Sequence, residues 1–194
     1  MTHPIAAGKS SIDLVDAELV LKEMRLQHDT VLLDLACGVG NYALASAPFI
    51  GPAGAIHAFD LWPEGIAALQ ESARARGLEQ IRARVADVSK RLPLADGSVD
   101  VALLATVLHD LVEVGVAEGA LREAARVLRP GGRLVVIEFD KVESRPGPPA
   151  AIRLSPEEVE TLTAPFGFRP ERRIKVGNTL YLLSLAVLKY STTR

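Results

Sequence analysis

Three aspartates around a glycine turn, together with one histidine and one glutamate, are the residues of this 194-residue chain whose types and spacing suit chemistry. Asp34 lies in Val31-Leu-Leu-Asp-Leu-Ala-Cys-Gly-Val-Gly40, Asp60 closes Ala55-Ile-His-Ala-Phe-Asp60, and Asp87 follows Ile81-Arg-Ala-Arg-Val-Ala86. Gly38 and Gly40 lack Cβ atoms, so the turn can take unusual dihedrals and bring backbone amides close to a ligand. A carboxylate at Asp34 can hold a cationic amino group directly or through water. One at Asp60 can accept hydrogen bonds from ribose hydroxyls, and one at Asp87 can accept from an exocyclic amine of adenine. His109, in Ala105-Thr-Val-Leu-His-Asp110, titrates near neutrality and is a candidate base or acceptor-orienting group, with Glu138 ranked after it. Taken singly, each aspartate can equally cap a helix or turn, Asp110 can cap a helix, and His109 can be structural.

The elements that must position these residues follow from periodicity. Val31 to Leu35, Ala55 to Asp60, Ile81 to Val85, Val99 to Leu104 and Arg133 to Phe139 read as strands. Helices are expected over Ile12 to Met24, Tyr42 to Phe49, Pro63 to Arg76 and Val114 to Leu128. Only a short link separates the third and fourth strands. This alternation predicts an α/β, doubly wound, mostly parallel sheet with helices on both faces. Ser155-Pro-Glu-Glu158 starts a further helix, and Phe168 to Val176 and Thr179 to Lys189 form a hairpin about Gly177-Asn178, which forces one antiparallel strand into the sheet. Ligands of such sheets sit outside the carboxyl ends of the strands, where strand order reverses. Asp34, Asp60 and Asp87 converge there.

Composition excludes several alternatives. The length suits one domain, expected over residues 1–194, and shows no repeat or domain-sized linker. Within it, 1–28 reads as an arm and helix forming a lid, 29–140 as a cofactor-binding core, and 141–194 as an acceptor-side loop, helix and hairpin. A net charge of −2 gives no electrostatic reason to expect nucleic acid. Arg74, Arg76, Arg82 and Arg84 fall at the sheet end opposite the ligand and read as a solvated face. The single cysteine, Cys37, and the spacing of the histidines give no metal site. Gly8-Lys-Ser10 lacks the glycine five positions earlier that a P-loop needs, because His3 stands there. With no signal-like apolar core and no stretch near the roughly twenty residues of a membrane span, the expected location is cytoplasmic.

Adenine, ribose and an amino-acid-like cation together describe S-adenosylmethionine better than a pyrophosphate. A dinucleotide fingerprint also fails, since Asn41 occupies the third glycine position after Gly38 and Gly40. The chain resembles class I S-adenosylmethionine-dependent methyltransferases, in the branch of the ubiquinone/menaquinone-biosynthesis C-methyltransferases (methyltransferase type 11). The resemblance runs through Val31–Gly40, Ala58-Phe-Asp60, Ala86-Asp87, Leu92-Pro-Leu-Ala-Asp-Gly-Ser-Val-Asp100 and Arg126-Val-Leu-Arg-Pro-Gly-Gly-Arg-Leu-Val135. It implies a Rossmann-like seven-stranded sheet of order 3-2-1-4-5-7-6 with an antiparallel last strand. It also implies cofactor contacts at Asp34, Ala36, Gly38, Gly40, Asp60, Leu61, Asp87, Val88 and Ala105, and a small-molecule acceptor. Ala36 departs from the usual D-x-G-x-G-x-G; slightly tighter contact is expected if its backbone angle suits alanine. Trp62 is expected to cover the sheet edge, or to stack on adenine. The Ala105-Thr-Val-Leu108 stretch lacks the Asn/Asp-Pro-Pro-aromatic motif of DNA and amide-nitrogen methylation, and one cysteine does not suit arsenic methylation.

Overall fold

The computed structural model describes residues 10–188. The expected arm ahead of Ser10, including Gly8 and Lys9, and the expected strand end at Lys189 lie outside the described residues. Seven strands, β1 (Val31–Leu35), β2 (Ala55–Asp60), β3 (Ile81–Val85), β4 (Val99–Ala105), β5 (Leu128–Phe139), β6 (Phe168–Lys175) and β7 (Leu180–Val187), form one sheet. Its order is β3-β2-β1-β4-β5-β7-β6. The first five strands pair in parallel, and β7 runs antiparallel to both β5 and β6. This is the Rossmann-like methyltransferase topology expected from the resemblance.

Side-chain alternation explains the layering. Leu33 and Leu35 on β1 face one core with Leu104, Val136 and helix α5 (Ala117–Val127), while Leu32 faces the other with Leu103, Val135 and helices α1 (Ala17–Met24), α2 (Asn41–Ser46) and α3 (Pro63–Ala75). The central strands are buried nearly throughout. Edge strands β3 and β6 are instead mostly exposed and carry Arg82, Arg84, Arg169, Arg172 and Arg173, charges that discourage pairing with another chain. Pro170 sits at the register shift of edge strand β6, where no ladder N–H is needed.

Two helices differ from expectation. The Ile12–Met24 pattern splits into a 3-10 turn (Ile12–Leu14) and α1, because Asp16 takes extended backbone and its carboxylate caps Leu19 N–H. A helix α4 (Leu108–Glu113) follows β4 directly, where a connection was expected, and α5 starts only at Ala117. The N-terminus of α4 has no side-chain cap of its own. Glu138 supplies one from 29 residues away, accepting His109 N–H at 3.1 Å. Such a cap has no local signature. Helix α6 (Pro156–Thr163), by contrast, begins with the Ser155/Glu158 capping box that its sequence announces. As expected, no helix bridges β3 and β4. Arg126 fastens that link, donating to Leu92 O and Leu94 O and pairing with Asp96 and Glu123.

Candidate active site

The carboxyl ends of β1 and β2 are joined through the glycine turn. Asp60 Oδ2 accepts Gly38 N–H at 2.7 Å and Oδ1 accepts Trp62 N–H at 2.8 Å, so one carboxylate holds the turn and the start of α3 together. Gly38 has φ +56°, and a Cβ there would meet nothing within 4 Å, which leaves open space above the turn. Behind it the packing is tight. A Cβ on Gly40 would lie 2.4 Å from Leu69 Cδ2, and one on Gly65 would lie 2.9 Å from Gly38 O. Gly65 thus lets α3 approach the turn, a role that a lone glycine within a helical pattern can hint at but not specify.

Asp34 is 2% exposed and its Oδ2 has no hydrogen-bond partner. Burial, and secondarily the charge of Asp60, push its pKa up to about 7, against a partly compensating bond from the Ala43 backbone. A buried carboxyl with an orphaned oxygen calls for a donor or a cation. Burial and then the two aspartates likewise raise the Cys37 thiol well above its usual range, so it is no nucleophile at neutral pH. Asp87, half-buried beyond β3, accepts from Ser89 N and Oγ at 2.9 and 2.6 Å. Leu61 is 59% exposed beside Asp60, Ala36 and Ala105 are half-buried, and Val88 packs into the α5-side core.

Ala36 has φ +56°. A non-glycine residue in the left-handed region costs roughly 1–2 kcal/mol, so the turn is strained at this position rather than simply tighter. Thr106, just past β4, has φ +53°, rarer still for a β-branched side chain. Backbone strain of this kind collects at functional sites. It stands at the same sheet edge as the three aspartates.

A second cluster lies at the ends of β4 and β5. His109 Nδ1 is 2.7 Å from Glu138 Oε2, and its Nε2 is 3.5 Å from Asp110 Oδ1. His109 and Glu138 are buried, and the Phe139 ring meets the imidazole edge-on at 6.4 Å. Burial pulls the His109 pKa down, but the Glu138 hydrogen bond and the charges of Glu138, Asp110 and Glu113 outweigh it, and the net shift is upward. In the neutral imidazole the Glu138 carboxylate favours the tautomer with the proton on Nδ1, which makes Nε2, on the Asp110 side, the basic nitrogen. Lys141 pairs with Glu158 at the start of α6.

With that geometry in place, a protein-family profile described as "Methyltransferase domain" matches residues 33–136. The chain belongs to this methyltransferase family. It is 40% identical over 108 residues to the demethylmenaquinone methyltransferase of Thermus thermophilus, covering 56% of this chain and 46% of the relative. The corresponding Geobacillus kaustophilus protein is 28% identical over 121 residues, covering 62% and 50%. The chain therefore spans about half the length of the curated relatives it matches. Among solved structures, an S-adenosylmethionine-dependent methyltransferase from Aquifex aeolicus superposes with TM-score 0.83 at 29% identity, over 92% of this chain and 93% of that one. The [4+2]-cyclase SpnF shares the fold alone, at TM-score 0.74 and 23% identity over 88% and 79%.

The methyltransferase crevice fits S-adenosylmethionine, the cofactor of this family. The orphaned Asp34 oxygen matches a cationic amine, and the space over Gly38 admits a ligand against the turn. Among the described residues no group of three metal-ligating side chains occurs. Nor is any helix long and apolar enough to cross a membrane.

Sequence reasoning missed Arg153. Its side chain is almost wholly buried and donates to Pro148 O, Asp140 O, Val142 O, and Ser144 O and Oγ, while its guanidinium lies 5.2 Å from the Phe139 ring centroid. The loop from Asp140 to Leu154 is wrapped around this cation. Nothing about a lone arginine ahead of a helix reveals that role.

Proposed function

We propose that this chain transfers the methyl group of S-adenosylmethionine to a small-molecule acceptor. When bound, the cofactor supplies an activated methyl on a sulfonium. Residues 29–140 bind it: Asp34 faces the amino group, the Ala36–Gly40 turn approaches it through backbone, and Asp60 accepts from the ribose. Asp87, Leu61 and the Val88 backbone border the adenine, and Ala105 lines the donor end. The observation that carries this reading is the Asp34–Gly38–Asp60 cluster, in which a buried carboxyl with an unpartnered oxygen adjoins open space over a glycine turn.

The acceptor side is assigned to residues 141–194, with 1–28 as lid. Methyl transfer asks the protein mainly for position and water exclusion. Where the acceptor must lose a proton, His109 Nε2 takes it, with Glu138 holding the imidazole and stabilising the imidazolium. The names of the relatives make demethylmenaquinone-like quinols the first acceptors to try. The net charge of −2 supports a small acceptor over nucleic acid, and a cytoplasmic location is part of the same reading.

Calorimetric titration with S-adenosylmethionine, its demethylated product and NADH, on wild type and Asp60→Ala, tests the cofactor assignment. Saturable binding of both sulfur ligands, lost in the variant, is expected. Preference for NADH would sink it. Release of demethylated cofactor with a quinol or phenol panel then tests methyl transfer, and tight binding with no turnover on any acceptor would favour a non-catalytic binding protein.

A further inference from the structure

One group of side chains at the sheet edge has no part in the chemistry above. Thr106 Oγ1 donates to Ser11 Oγ at 3.0 Å, and Ser11 Oγ lies 2.9 Å from Tyr42 Oη. Ser11 is 3% exposed and Tyr42 6%. The three hydroxyls come from widely separated stretches: Ser11 precedes the 3-10 turn of the N-terminal segment, Tyr42 follows the glycine turn, and Thr106 follows Ala105 at the end of β4. All three stand where the methyl-donor end of the crevice is assigned.

The fastening of this segment is uneven. Its far end is bound through backbone, with Asp16 N–H donating to Val176 O at 2.6 Å, and Leu14 O packs so closely on Gly177 that a Cβ there would lie 2.3 Å away. Its near end meets the crevice through neutral hydroxyls, whose mutual bonds are each worth little net, with Ile12 packed beside them against the core on the α1 side. A firm backbone anchor at one end and hydroxyl contacts at the other make a hinge and a catch. Thr106 is held for this purpose at a cost: its N–H bonds Ile137 O at 2.7 Å, its φ is positive, and the resulting orientation delivers its hydroxyl to Ser11. Burial keeps the Tyr42 phenol protonated, raising its pKa to about 12.

We propose that Thr106, Ser11 and Tyr42 form a hydroxyl latch that closes residues 10–13 over the methyl-donor end of the crevice and sets the rate at which cofactor and product leave. They are positioning residues, and the assignment rests on the cofactor reading given above. Ser11 Oγ accepts from Thr106, and in the Ser11–Tyr42 pair either hydroxyl can donate, so Ser11 joins the other two whichever way that bond runs.

The test is the dissociation rate of S-adenosylmethionine, measured by stopped-flow displacement with the demethylated product. Ser11→Ala and Thr106→Val are expected to release cofactor about 10-fold faster, with the double variant no faster than either single one, as for a single shared device. Thr106→Val keeps the β-branch and loses only the hydroxyl, while Thr106→Ser should restore slow release. Amide exchange across residues 11–14 should quicken in Ser11→Ala and Thr106→Val. A merely structural role would lower the melting temperature and leave the release rate alone. Unchanged release in both variants, with circular dichroism showing the fold intact, overturns the latch while the cofactor reading stands. Failure of the wild type to bind the cofactor overturns both.

Discussion

The two halves of the ligand edge are built by different means. At the ends of β1 to β3, acids are held by nearby backbone: Asp60 by Gly38 and Trp62 N–H, Asp87 by Ser89. At the ends of β4 and β5, side chain holds side chain across a long sequence distance, as in His109 with Glu138, 29 residues apart. A site made of backbone groups depends on turn geometry and a few residue types, so it survives wide change elsewhere. One made of interlocked side chains can be retuned only in concert. The first half suits a ligand common to a family, the second an acceptor that varies.

Substitutions should separate the halves. Asp60→Ala removes the acceptor of both Gly38 N–H in the turn and Trp62 N–H at the start of α3, and should weaken S-adenosylmethionine binding by about 100-fold or more, since hydrogen bonds to charged groups each contribute roughly 1.5–3 kcal/mol. Calorimetry reads this directly, and amide exchange over Leu108–Glu113 should stay as in the wild type. Glu138→Ala should do the reverse. Uncapping α4 and stripping the buried imidazole of its partner should cost about 3 kcal/mol in urea unfolding, with cofactor affinity changed less than about threefold. Equal losses of affinity in the two variants would erase the distinction.

The halves should also differ in their response to pH. The Asp34 pKa is raised in the fold from 3.8 to about 7. The folded protein therefore holds a proton that the unfolded chain has released, and this contribution to stability is lost as pH rises from about 4 through 7. A cationic amine favours the ionised carboxylate, so cofactor binding near pH 6 should release up to one proton, fading by pH 9 and absent in Asp34→Asn. Calorimetry in buffers of different ionisation enthalpy measures it. His109 is raised as well, so its contribution is full below about 6.5 and is lost as pH climbs through its folded value. As a base it must be neutral, so kcat/KM should rise with pH along a limb displaced above 6.5, and that limb should vanish in His109→Gln.

The smallest effect concerns the strained turn. Ala36→Gly should raise stability by about 1 kcal/mol, because φ +56° suits glycine better than alanine. A urea midpoint that falls instead would show that the alanine methyl packs well enough to offset the strain.

Legibility in the sequence followed the same division. β1 to β4, the Arg133–Phe139 part of β5, the glycine turn, the carboxyl-end aspartates and the final hairpin were readable, because each is announced by local periodicity or turn chemistry, whereas the strand's start at Leu128 lies behind Pro130-Gly131-Gly132, which reads as a helix stop. α4 was not, since its cap comes from Glu138 on β5, and the Ile12–Met24 period concealed the break at Asp16. The juxtaposition of His109 with Glu138 required the β4–β5 register, although each residue was singled out separately. Arg153 and the Ser11–Thr106–Tyr42 hydroxyls carried no local signal at all.

The wrapping of the loop around Arg153 has an evolutionary consequence. Four of the five acceptors that hold this guanidinium are main-chain carbonyls, which every amino acid supplies. The exposed side chains at Val142, Glu143 and Arg145 are thereby uncoupled from the path of the backbone that carries them. Lineages can rewrite those letters, and with them the chemistry presented to an incoming molecule, while the loop keeps its shape.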